Sequence, residues 1–133
     1  MSKRTIKTVV VQTNPIKKNV RMSLERTREM LDSFGNSKSG HGLSKDDEID
    51  LVIFPELGFS GYIFDDTRDI EEYLEFKDRG PTYDFMNDLA RKLDSYVVYS
   101  IPEKVIDELV ADGEYNRILI FSYFIFRLWI SHI

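Results

Sequence analysis

The chain has 133 residues, one domain's worth or part of a larger one. With 42% hydrophobic and 31% charged residues it is no disordered segment, and a net charge of −5 without any basic stripe excludes nucleic-acid binding. It contains no cysteine, which excludes disulfides, thiolate metal sites and a cysteine nucleophile within these residues. His41 and His132 stand too far apart in sequence to suggest zinc.

The first residues, Met1 to Thr5, offer no small-residue cleavage site, so no signal peptide is expected and the cytoplasm is the expected location. Ile6 to Gln12 is β-branched and apolar, which predicts a buried strand broken by Asn14-Pro15. Asn19 is placed to cap a helix whose apolar face is Val20, Leu24, Thr27, Leu31 and Phe34, with Gly35 ending it. Residues 35–49 are rich in Gly, Ser and Asp and lack periodicity, predicting a mobile surface loop. Leu51 to Phe54 predicts a second buried strand, and a short helix is expected near Ile70 to Phe76.

Gly80-Pro81-Thr82 reads as a turn into a longer helix, with Phe85, Leu89 and Leu93 four apart and Met86 and Ala90 beside them. Tyr96 to Ile101 predicts a third strand ended by Pro102. Val105 to Leu109 fits either helix or strand. Asp112-Gly113 signals a turn, and Tyr115 to Phe121 predicts a fourth strand. This order predicts a layered α/β fold with a buried sheet.

Ile118 to Ile133 changes character, holding five aromatics, Arg127 and no acid. It is shorter than the roughly 20 residues that span a bilayer, so a membrane anchor is not expected. The expected organisation is a folded part over 1–117 and a divergent apolar tail over 118–133, a terminus not selected to fold.

The run Asp50 to Tyr62 carries the candidate chemistry. Pro55 cannot donate to a ladder, so Glu56 falls just past a strand's carboxyl end, where open α/β sheets bind ligands. Among Phe54, Leu57 and Phe59 its carboxylate is expected to be partly desolvated and is a candidate general base; a cap partner or a plain surface residue is the alternative. Gly58 to Tyr62 is no nucleophile elbow around Ser60, because Tyr62 stands where glycine is needed. Gly58 and Gly61 are read as letting the backbone turn. Glu103 is a candidate second carboxylate, weighed against a solvated strand-end residue, which is the expected reading. Asp65-Asp66 and Asp46-Asp47-Glu48 lack the spacing of a calcium loop and read as solvated charge runs.

Taken together, these segments resemble the N-terminal half of the nitrilase (carbon–nitrogen hydrolase) superfamily. Val9 to Pro15, Asn19, Leu51 to Tyr62, Asp78 to Thr82, Val97 to Glu103 and Tyr115-Asn116 match in order, over about residues 5 to 117. The resemblance is closest to the fungal protein N-terminal amidases. It implies a partial four-layer α-β-β-α sandwich and a Glu, Lys, Cys triad that hydrolyses amides at protein N-termini bearing Asn or Gln. It also implies no metal and no organic cofactor. Of the triad it carries over Glu56 alone: Lys77, Lys92 and Lys104 stand at the wrong place in the order of motifs, and there is no cysteine. The expectation is therefore an amidase-family chain inactive as given, with a tendency to form a homo-oligomer or aggregate. The alternative is a non-catalytic binding or membrane-tethered remnant.

Overall fold

The computed structural model describes residues 5–34 and 42–105, and the backbone of 117–126. Gly35, His41, Asp112-Gly113, Tyr115-Asn116 and His132 lie outside the described residues, as does most of Val105 to Leu109.

A four-stranded sheet runs in the order β1 (Thr8–Val10), β2 (Leu51–Ile53), β3 (Tyr96–Val105), β4 (Arg117–Phe126). The first three are parallel, and β4 returns antiparallel to β3. Helices α1 (Val20–Ser33) and α3 (Pro81–Leu93) pack on one face, and a short α2 (Thr67–Glu71) follows β2. The described residues thus form one helical layer and one sheet of the four layers that the resemblance implies.

α1 starts where its cap dictates. The Asn19 side chain accepts the Met22 N–H at 3.0 Å, satisfying a donor that no earlier turn can pair. Leu24, Thr27 and Leu31 are buried as the spacing predicts, but Phe34 is 61% exposed because the chain turns extended there. Pro81 opens α3, where its fixed φ and missing N–H are harmless. Phe85, Met86, Leu89, Ala90 and Leu93 are all buried against Val52, Val97, Tyr99 and Ile101. Each of the larger of these side chains contributes roughly 1.5–3 kcal/mol through burial.

Register explains which half of each strand is covered. Val9, Val52 and Val97 align, and the latter two are wholly buried under the helices. In the next row, Val10, Ile53 and Val98, Val10 is 74% exposed. Side chains alternate between faces, so the sheet has one packed face and one open face among the described residues. The expected buried strand over Ile6 to Gln12 is therefore corrected: β1 is a three-residue edge strand, and Ile6 is exposed.

Four further expectations are revised. The segment read as a mobile surface loop holds a 3-10 turn at Lys45–Asp47, closed by a reciprocal Ser44–Asp47 cap, with Leu43 and Ile49 buried. The short helix begins at Thr67 rather than near Ile70, because Asp66 accepts the N–H groups of Arg68 and Asp69. Asp47 and Asp66 also act as capping residues, Asp47 half-buried and Asp66 exposed to solvent as expected. β3 does not end at Pro102 but continues to Val105; its register with β4 shifts between Ile101 and Glu103, and that irregularity accommodates a residue with no N–H. β4 runs to Phe126, past the Phe121 expected from sequence.

Candidate active site

β2 and β3 separate beyond the Phe54 N–H bond to the Val98 carbonyl. The chain then turns at Pro55 and presents Glu56 at the carboxyl end of the parallel strands, half-buried. The turn is tied at three points. The Leu57 N–H donates to Ser100 Oγ on β3 at 2.8 Å, in a buried setting. Leu57 itself adopts a left-handed conformation (φ 44°), unusual for a branched residue. The Gly61 N–H then closes onto the Leu57 carbonyl at 2.8 Å, with Gly61 at φ 75°. This fold-back delivers Tyr62 to Glu56, and the phenol donates to Oε2 at 2.8 Å.

Gly61 makes the turn through its positive φ, as read from the sequence. Gly58 is there for another reason: a Cβ would sit 2.9 Å from Thr13 Oγ1 and 3.1 Å from the Pro55 carbonyl oxygen. Thr13, three residues past the end of β1, thus presses against the Glu56 turn. Below it the Phe54 and Phe59 rings meet in a tilted contact at 5.5 Å and Phe59 meets Phe85 at 6.1 Å, anchoring the turn to α3. Ser60 is buried beneath this turn and is not presented at a strand-to-helix elbow.

The structure also reveals a carboxylate that sequence reasoning missed. Where β2 turns away, the stretch around Glu75 takes its place beside β3: the Glu75 N–H bonds the Pro102 carbonyl, and the Lys104 N–H bonds the Glu75 carbonyl. The Glu75 side chain is buried and accepts the Thr82 N–H at 3.0 Å and the Thr82 hydroxyl at 2.7 Å. It caps α3 from outside the helix, because the N-cap is Gly80 and has no side chain. Burial pushes the Glu75 carboxyl up, and the two Thr82 bonds only partly oppose this. Burial likewise raises the nearby Tyr99 phenol, with the Glu75 charge adding to it. Two signals pointed to this cap: a helix opening on Gly-Pro, and a glutamate flanked by Leu74 and Phe76.

Glu103 is corrected as well. It is only 9% exposed and pairs with Glu75 as a bridge partner, so it is no solvated strand-end residue. Lys92, on α3, pairs with Asp32 of α1. Among the described residues no group of three or more His, Asp or Glu is placed to hold a metal ion. No helix among them is long and apolar enough to cross a membrane.

With this geometry established, comparison with known proteins is specific. The carbon–nitrogen hydrolase family profile matches residues 7–123. The protein N-terminal amidase of Saccharomyces cerevisiae is 30% identical over 99 residues, 74% of this chain and 20% of the yeast protein. A crystal structure of N-terminal amidase matches with a TM-score of 0.65 at 29% identity, over 77% of this chain and 22% of that one. A CN-hydrolase superfamily protein from Xanthomonas campestris shares the fold, with a TM-score of 0.57 at 17% identity, over 77% of this chain and 33% of that one. The chain thus spans about a fifth of the length of the N-terminal amidases it matches.

Proposed function

Since the chain belongs to the carbon–nitrogen hydrolase family, we propose that it is the base-bearing portion of an amidase acting on N-terminal Asn or Gln. The observation that carries this reading is the 30% identity to a protein N-terminal amidase over a segment that includes the Glu56 turn. Crystal structures of N-terminal amidase with Asn-Glu and Gln-Val peptides support the choice of substrate.

In this reading Glu56 is the general base. A thiol attacks the side-chain amide carbon, and its proton passes to Glu56 and then to the departing ammonia, leaving a thioester. Water then attacks the thioester, giving its proton to Glu56. The carbon–sulfur bond breaks, the departing sulfur takes that proton back from Glu56, and an N-terminal Asp or Glu is released. A lysine ammonium stabilises the oxyanion in both steps. These 133 residues contain no cysteine. The thiol therefore comes from other polypeptide, and so in this reading does the lysine, because Lys77, Lys92 and Lys104 do not stand at its place in the order of motifs; the chain by itself does not turn over. The open sheet face bearing Val10 and Tyr96 is where the second sheet of the sandwich packs.

The test is the endogenous protein, captured through this segment and characterised by intact mass and peptide coverage. The expected result is polypeptide continuous with, or bound to, this segment that supplies both a cysteine and a lysine. A species of 15.6 kDa with no associated polypeptide would overturn the reading.

A further inference from the structure

We propose that Tyr62 is the positioning residue for the Glu56 carboxylate, and that it divides the work of the two oxygens: Oε2 is held by the phenol, and Oε1 is the atom that exchanges protons. The proposal rests on the reading of Glu56 as the base. Its geometry stands independently of that reading.

Glu56 is half-buried, and its side chain has rotamers to lose. Its backbone is fixed by the Leu57 N–H bond to Ser100 Oγ, itself buried on β3. That bond sets where the side chain begins, not where the carboxylate ends. The second anchor is the Tyr62 hydroxyl, 2.8 Å from Oε2. Two left-handed residues, Leu57 and Gly61, fold the chain back so that a residue six positions on reaches the carboxylate. Tyr62 is 59% exposed, so its ring adds little to the core, and its hydroxyl is what serves the turn. A neutral phenol donates a single hydrogen bond, so it engages one carboxylate oxygen and leaves the other open. The base is thus oriented by this segment alone, before any nucleophile is brought to it.

The experiment compares the parent chain with Tyr62→Phe, using a selectively labelled Glu56. In the parent, three-bond couplings from Cγ to the backbone nitrogen and carbonyl carbon report one χ1 rotamer. In the variant they collapse toward the rotamer average, while backbone amide shifts away from residues 54–63 stay in place. Unchanged couplings in Tyr62→Phe would overturn the proposal. In the cysteine-containing amidase isolated through this segment, Tyr62→Phe lowers kcat by about 10- to 100-fold with little change in KM, the loss expected for one hydrogen bond to a charged group. If Glu56→Gln abolishes turnover there and Tyr62→Phe leaves kcat intact, the positioning role is wrong and the base stands. If Glu56→Gln leaves turnover intact, the reading of the base is wrong, whatever the couplings show.

Discussion

Removing the Glu75 side chain should cost stability that merely neutralising it does not. Glu75→Ala deletes the acceptor for both the N–H and the hydroxyl of Thr82, which is 1% exposed and cannot turn to water. A buried donor left unpaired costs about 1–3 kcal/mol, and the lost anion at the α3 N-terminus adds about 0.3–1 kcal/mol. The expected destabilisation is about 2–4 kcal/mol, since the hydroxyl can partly re-aim. Glu75→Gln keeps the shape: its amide oxygen accepts the Thr82 N–H and its NH2 donates to the Thr82 oxygen. It also removes a charge that burial disfavours, so at neutral pH it should lie within about 1 kcal/mol of the parent.

The pH dependence carries the sharper test. The folded-state pKa of Glu75 is raised above its ordinary value of 4.5. In the window from that value up to the raised one, the folded chain holds a proton that the unfolded chain has released. Stability from this group is therefore highest at the acid end and falls as pH rises through the window. Urea unfolding of the parent and Glu75→Gln at several pH values between 4 and 8, followed by circular dichroism, isolates the term, because other groups cancel in the difference. Relative to the parent, the Gln variant should gain as pH rises. A difference that is flat, or that moves in favour of the parent with rising pH, would show that the Thr82 bonds and the helix end outweigh burial, and would refute the reasoning.

Three further outcomes follow from the packing. Gly58→Ala drives a Cβ to 2.9 Å from Thr13 Oγ1 and should lower stability by about 1–3 kcal/mol, read as a drop in Tm. Asn19→Ala removes the α1 cap and should shift the urea midpoint by an amount equivalent to about 1 kcal/mol. Val10 lies on the open face of an edge strand at 74% exposure, so the parent chain should self-associate and Val10→Lys should move it toward monomer in sedimentation velocity.

Local signals made part of this fold legible in the sequence. The Asn19 cap and the Gly80-Pro81 start fixed two helices, and apolar residues three and four apart identified their buried faces. Pro55 placed Glu56 past a strand end, where the structure has it. Tertiary context decided the rest. Whether Ile6 and Val10 are buried depends on what covers the second face of the sheet, which their own β-branched character cannot say. Pro102 read as a stop because the bulge that accommodates it involves β4, a partner strand fifteen or more residues away. Glu75 was missed because its donors lie seven residues further on, behind a turn. The Tyr62–Glu56 bond depends on a left-handed Leu57, a conformation that sequence propensity argues against.

The most direct test of the account is ammonia release from Asn-Glu and Gln-Val peptides by the purified 133-residue chain, with Glu56→Gln alongside. The account predicts no release from either protein, because the base has no thiol to activate. Turnover by the chain alone, abolished in Glu56→Gln, would contradict it and would mean that these residues hold a nucleophile other than cysteine.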